Sequence, residues 1–278
     1  TVKRHILAGD RVMINRQPTL HRPSMMSFRV LIRDQNALRL HYAVFPPMAA
    51  DCDGDEINVC IPQTLGADAE LSEICRPEDV IMKDGRVSIK FIQNALLGAY
   101  SLSQPKVFLD RSDVFRILSP IMHCLSARVL DRFQDPHRKY TGLEVFSVIL
   151  PHDFSMYLPD DKLTVIRGIV TQGKLDSEVL NSPTGMIATM YREYPNPSVT
   201  SAFIYQGYLL FQGFLDMFGC SASFRDIVPY HLDRSIINLY TNTFESHFNK
   251  AVSDTDVDVG VGVNEDEDED GDEDEDED

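Results

Sequence analysis

Asp51, Asp53 and Asp55 occupy every second position of the run Ala49-Ala50-Asp51-Cys52-Asp53-Gly54-Asp55-Glu56. On extended backbone that spacing puts the carboxylates on one side, and Gly54 lets the chain bend so that their oxygens converge. Carboxylates crowded in this way repel one another unless a divalent cation neutralises them. An all-oxygen set with room left for water or phosphate suits Mg²⁺. The composition of the run is equally compatible with a solvated acidic turn. A calcium loop of the EF-hand kind is excluded, because Glu56 stands where that loop needs its glycine and Pro62 where it needs its bidentate glutamate. A phosphatase of the aspartyl-phosphate type would need a buried parallel strand immediately upstream, and Pro46-Pro47 sit there instead.

The elements that must position this loop read as short strands. Residues 11–15 (RVMIN), 28–32 (FRVLI), 37–45 (ALRLHYAVF) and 57–61 (INVCI) alternate or are briefly apolar, and turn residues bound them. The aspartates then fall on a loop between two strands of a small β structure.

Beyond residue 62 the periodicity changes. Leu65, Ala69, Leu71 and Ile74 are spaced for a helix that Thr64 would cap, and Lys83-Asp84-Gly85 makes a turn before a strand-like VSIKF. Residues 91–102 read as helical, and 113–133 as two helices or one bent at Pro120. EVFSVIL at 144–150 reads as a strand, and 162–175, with Gly168 at its centre, as a hairpin. Helical spacing returns at 185–194 and 198–218, where Phe203, Tyr205, Leu209, Leu210, Phe214 and Phe218 are predicted to be core rather than a stacking platform for bases. A further amphipathic helix is predicted from about 232 to 248, and from residue 254 the charge run predicts a disordered tail.

Charge is distributed unevenly. The chain has 278 residues and a formal net charge of −17, but residues 265–278 hold 13 of the 43 acidic side chains. Residues 1–253 carry 26 basic against 27 acidic side chains, so the acidity belongs to the tail. Residues 1–40 lean basic, with Lys3, Arg4, Arg11, Arg16, Arg22, Arg29, Arg33 and Arg39 against Asp10 and Asp34. A basic segment leading into an acidic cluster is what phosphate chemistry would need. The five cysteines, Cys52, Cys60, Cys75, Cys124 and Cys220, form no Cys-x-x-Cys pair, so zinc ligation is not expected and buried free thiols are. No apolar run reaches membrane-spanning length and no secretory signal opens the chain, which predicts a soluble intracellular protein. The first residue, Thr1, suggests a fragment or processed piece.

The succession GDRVMINRQPTLHRPSMM, AADCDGDEINVCIPQT, AELSEI and QNALLGAYSL closely resembles the largest subunit of multisubunit DNA-directed RNA polymerases of the eukaryotic, archaeal and large-DNA-virus type. The resemblance is dense over residues 3–103 and fainter to about 226. It implies an α+β chain: residues 1–62 as part of a double-psi β-barrel with the metal loop, 63–226 as a mainly helical pore region, 227–253 as the start of a funnel, and 254–278 as a disordered acidic tail. It also implies that Asp51, Asp53 and Asp55 are catalytic and hold one Mg²⁺ while a second arrives with the nucleoside triphosphate. Arg16, Gln17 and Pro18 match substrate-binding positions, where a guanidinium can meet ribose hydroxyls.

The implied partners are the second-largest polymerase subunit, the remaining largest-subunit segments, DNA template, RNA transcript and nucleoside triphosphates, with no membrane. The implied setting is the nucleus or a viral replication compartment. The family has asparagine at position 49 and phenylalanine at 52, where this chain has Ala49 and Cys52. The segments used for translocation and nucleotide closure are missing, which implies a split subunit or a fragment, inactive alone. Two alternatives carry the same loop or the same ancestry. One is an RNA-dependent RNA polymerase on a double-psi barrel, against which NRQPTLHR argues; the other is a non-catalytic assembly module that binds nucleic acid.

Overall fold

The structure, a computed structural model, describes residues 4–221 and 234–255. The chain divides into two units, Thr1–Cys220 and Ser221–Asp278. The predicted disordered tail lies, from residue 256 on, outside the described residues.

The content is mixed α and β, in small separate sheets. In the first sheet β1 (Arg11–Asn15) lies between β2 (Met25–Arg29) and β3 (Asn58–Cys60), antiparallel to both, in the order β2-β1-β3. Val12 and Ile14 alternate inward from β1 and Met26 from β2, as a half-buried strand requires. The sheet is open, and no closed barrel is present among the described residues. The strand expected at 28–32 lies three residues earlier, because Met26 and Ser27 are the buried residues, Met26 in the core on one face and Ser27 on the other, where its hydroxyl donates to Leu71 O.

Residues 37–45 are not a strand. His41 Nδ1 accepts from the Ala43 N–H at 3.2 Å and starts a 3-10 turn, and α1 (Phe45–Met48) follows with its two prolines in the first turn, where their missing N–H groups cost nothing. The alternation of ALRLHYAVF mimicked a strand, and this local capping decided otherwise.

The second layer is mainly helical: α2 (Leu65–Glu73), α3 (Asn94–Leu102), α4 (Arg111–Leu118), α5 (Ala127–Leu130), α6 (Gly142–Phe146), α7 (Ser177–Asn181), α8 (Met186–Glu193) and α9 (Pro197–Phe218). Thr64 caps α2 by accepting from the Ala67 N–H at 3.1 Å, as its sequence predicts. Asp84-Gly85, with φ of 49° and 73°, turns β4 (Met82–Lys83) into β5 (Arg86–Val87); the rest of VSIKF leaves the ladder. Pro120 opens a 3-10 stretch after α4 and divides 113–133 into short helical pieces.

β6 (Phe108–Leu109) pairs with β7 (Tyr140–Thr141). The strand expected at 144–150 is α6 and a 3-10 turn, because Thr141 and Glu144 form a reciprocal capping box: Thr141 Oγ1 accepts from the Glu144 N–H and Glu144 Oε2 from the Thr141 N–H. The hairpin at 162–175 forms as β9 (Leu163–Ile166) and β10 (Ile169–Gly173), turned by Arg167-Gly168, with β8 (Met156–Leu158) on the far side of β9.

The core is built on α9. Phe91 is fully buried and meets Phe203 and Phe211 edge to face at 5.8 and 5.4 Å, while Phe146 stacks on Phe211 at 5.8 Å. The buried residues run continuously from Val12 on β1 to Phe214 on α9, so sheet and helices share one core. Phe203, Leu210 and Phe214 are core as predicted, but Tyr205 and Phe218 are 44% and 51% exposed. The thiols correct another expectation: Cys52, Cys60, Cys124 and Cys220 are exposed and Cys75 is half-buried.

In the second unit α10 (Arg234–Thr255) covers the predicted amphipathic helix, with Phe244 stacked on Phe248 at 6.2 Å, one turn on. Among the described residues no helix is long and apolar enough to cross a membrane.

Candidate active site

The aspartate loop leaves α1 and enters β3. Ala49 ends α1 in the left-handed region, φ 49° and ψ 36°, with its N–H accepted by Phe45 O and Pro46 O. Pro47 O accepts from His21 Nε2 at 2.6 Å, which ties the start of the loop to the segment after β1. The backbone then bends across residues 52–54, with Gly54 at φ 109°.

Register explains what meets the loop. Asn15 on β1 lies opposite Asn58 on β3, so Arg16, one residue beyond β1, emerges at the same end of the sheet as the loop's return. Arg16 Nε donates to Asp55 Oδ2 at 2.7 Å and Nη2 to Oδ1 at 3.1 Å, a fork between residues 39 positions apart. The Asp51 N–H donates to the same Asp55 Oδ2 at 2.8 Å, and the Cys52 N–H to Asp51 Oδ1 at 2.7 Å. The Asp55 carboxyl is held below its usual range, first by the Arg16 guanidinium and then by the Asp51 N–H. Arg16 is held above its own.

Asp53 is exposed at the outer bend of the loop. Gln17 and Pro18, joined by a cis peptide bond, are exposed in the turn after Arg16. The structure therefore brings Arg16 to Asp55 and Asp51 beside Asp55, but it does not draw the three aspartates around one point. Among the described residues no three His, Cys, Asp or Glu side chains form a metal-holding group. The expected convergence assumed extended backbone, whereas the loop bends at 52–54 and Arg16 turns Asp55 toward β1. The donor chemistry fits Mg²⁺: three hard carboxylates lie within five residues, and Asp53 extends into solvent from a glycine-containing bend.

Tyr42 was not singled out by sequence. Its ring stacks on Phe45 at 4.9 Å and its hydroxyl lies 3.3 Å from Cys52 Sγ, so it braces the loop from outside, and the hydroxyl is held above its usual range chiefly by that contact. No periodicity flags such a residue; only the turn at 41–44 brings it there.

Comparison with protein families matches residues 1–76 to RNA polymerase Rpb1, domain 2, and residues 80–227 to RNA polymerase Rpb1, domain 3. The chain belongs to the Rpb1 family of RNA polymerase largest subunits. Among its relatives, DNA-directed RNA polymerase II subunit RPB1-B of Trypanosoma brucei brucei is 32% identical over 246 residues, covering 82% of this chain and 13% of the relative. DNA-directed RNA polymerase subunit Rpo1N of Sulfolobus acidocaldarius is 31% identical over 247 residues, covering 81% of this chain and 28% of the relative. A probable DNA-directed RNA polymerase II subunit RPB1 homolog of Invertebrate iridescent virus 6 is 29% identical over 216 residues, covering 69% and 21%. The chain thus spans a small part of each of these Rpb1 relatives. The matched region holds the aspartate loop, Arg16 and the helical core through α9.

Proposed function

We propose that this chain is the active-centre portion of a DNA-directed RNA polymerase largest subunit and takes part in transcription by nucleotidyl transfer. The observation that carries this reading is the aspartate loop seated at the end of the β1–β3 pair with Arg16 on its third aspartate, inside a chain of the Rpb1 family. Residues 1–62 would be part of a double-psi β-barrel, the open three-stranded sheet supplying one portion of it, with residues 63–226 as the pore region, 227–253 as the start of the funnel and 254–278 as an acidic tail.

Asp51, Asp53 and Asp55 would hold one Mg²⁺. Bound there, it would acidify the RNA 3′-hydroxyl, while a second ion arriving with the nucleoside triphosphate would offset the charge of the departing pyrophosphate. The residues themselves do the placing: the bend at 52–54 sets Asp53 outermost, and the Asp51 N–H fixes one oxygen of Asp55. Arg16, with five N–H donors, would reach ribose hydroxyls from the turn it shares with Gln17 and Pro18. The second-largest subunit, the remaining largest-subunit segments, DNA template, RNA and nucleoside triphosphates would complete the centre, in a nuclear or viral setting.

The test is reconstitution with those segments and subunits on a primed DNA template. Wild-type chain should support RNA extension and Asp53→Ala should lose it; unchanged extension by Asp53→Ala would refute the assignment.

A further inference from the structure

Away from the aspartate loop, at the opposite end of β1, the register sets two arginines side by side on one face of the sheet. Arg11 on β1 lies directly opposite Arg29 on β2. The Val30 N–H donates to Asp10 O at 2.8 Å, so the alternation of an antiparallel ladder makes Arg11 and Arg29 the non-hydrogen-bonded pair, the closer of the two kinds. Like charges in that position repel and destabilise the sheet unless something negative lies between them.

The carboxylates nearby answer this only in part. Asp10 is taken by Arg4, which donates to it from Nη1 at 2.6 Å and Nη2 at 3.0 Å, and by the Leu7 N–H. Asp68, half exposed on α2, approaches Arg11 no closer than 3.9 Å. Arg29 donates to Gly9 O at 3.3 Å and, among the described residues, meets no carboxylate. Arg4, Arg11 and Arg29 line one open cleft of about 510 Å³ together with Asp10, Asp68 and Gln63, so positive charge is in excess there. The cleft is larger than a phosphate group needs, and two arginines that line it from adjacent strands offer the forked N–H donors that a tetrahedral oxyanion accepts from.

We propose that this cleft is a phosphate-binding site, with Arg11 and Arg29 as its principal donors. It is distinct from the aspartate loop and does not depend on the metal assignment. The phosphate belongs either to a nucleic-acid backbone or to a free phosphate or pyrophosphate, and the same chemistry would recognise both.

The test titrates the full chain with inorganic phosphate, pyrophosphate and a short single-stranded RNA by calorimetry, and follows the thermal midpoint in parallel. Arg11→Gln and Arg29→Gln should each weaken binding about tenfold or more, as expected for the loss of a charge-assisted contact. Arg116→Gln, an exposed arginine on α4, should not. Without ligand, Arg29→Gln should melt no lower than wild type, because it relieves the repulsion, and it should lose the rise in midpoint that phosphate gives the wild type. Tighter binding of RNA with a steep salt dependence assigns the site to a backbone, and tighter binding of pyrophosphate assigns it to free phosphates. Binding that both variants leave intact, or that Arg116→Gln weakens equally, overturns the proposal.

Discussion

Arg16 holds Asp55 by two parallel N–H···O bonds, of 2.7 and 3.1 Å, across the end of the β1–β3 pair. Both residues belong to the proposed chemistry, one as a substrate contact and the other as a metal ligand, and here each occupies the other. With the Asp51 N–H also on Oδ2, that oxygen is fully committed. A cation at this loop meets a carboxylate already neutralised by a guanidinium. Arg16→Ala should therefore bind Mn²⁺, followed by electron paramagnetic resonance, about tenfold more tightly than wild type, since a positive charge beside the ion is removed. Weaker binding by the variant would show that Arg16 supports the site instead of competing with the ion.

Ala49 adopts φ 49°, a conformation that costs a Cβ-bearing residue about 1 kcal/mol and that glycine and asparagine take more readily. Ala49→Gly should raise stability by roughly 0.5–1 kcal/mol in urea denaturation without changing the m-value. A loss of stability would mean that the Ala49 methyl packs against something the loop needs.

Gly98 sets how closely α3 approaches α9. A Cβ there would come 2.6 Å from Phe211 O and 3.0 Å from Phe211 Cβ, and backbone on a packed helix cannot withdraw as a flexible side chain would. Gly98→Ala should cost about 1–3 kcal/mol despite alanine's better helix propensity, measured by the same denaturation. A neutral or stabilising effect would show that the two helices can separate freely.

His41 keeps an exposed surface but sets its ring edge to face against Tyr208, 4.7 Å away, and the desolvation of that contact holds its pKa below the usual 6.5. The folded state therefore resists a proton that the unfolded chain accepts. The contribution of neutral His41 is complete above pH 6.5 and declines as pH falls below it toward the lower folded value. The thermal midpoint should drop over that range in wild type, and His41→Gln should flatten this part of the profile. A profile unchanged by the substitution would place the titration elsewhere.

Some of this was legible in the chain and some was not. Thr64 ahead of α2, Asp84-Gly85 between β4 and β5, and Arg167-Gly168 between β9 and β10 act through bonds and torsions of their immediate neighbours, so the residues predict the structure directly. EVFSVIL misled because its apolar run is buried either way; Thr141 and Glu144, reciprocal caps at its edge, chose the helix. The thiols misled for a different reason. Cysteine is usually buried, but Cys52 rides on a loop whose residues point to solvent, and Cys60 lies on an exposed β3.

By itself the sequence determined the donor chemistry of the aspartate loop, the family to which its surrounding motifs belong, and the helices whose apolar faces repeat at helical spacing. Those properties reside in residue types and short separations. Tertiary structure alone decided that Arg16 meets Asp55, that Arg11 faces Arg29, and that Tyr42 braces Cys52. The first two rest on strand register, and a shift of one residue would turn each side chain to the other face of the sheet. The third depends on a turn whose caps lie outside the loop it supports.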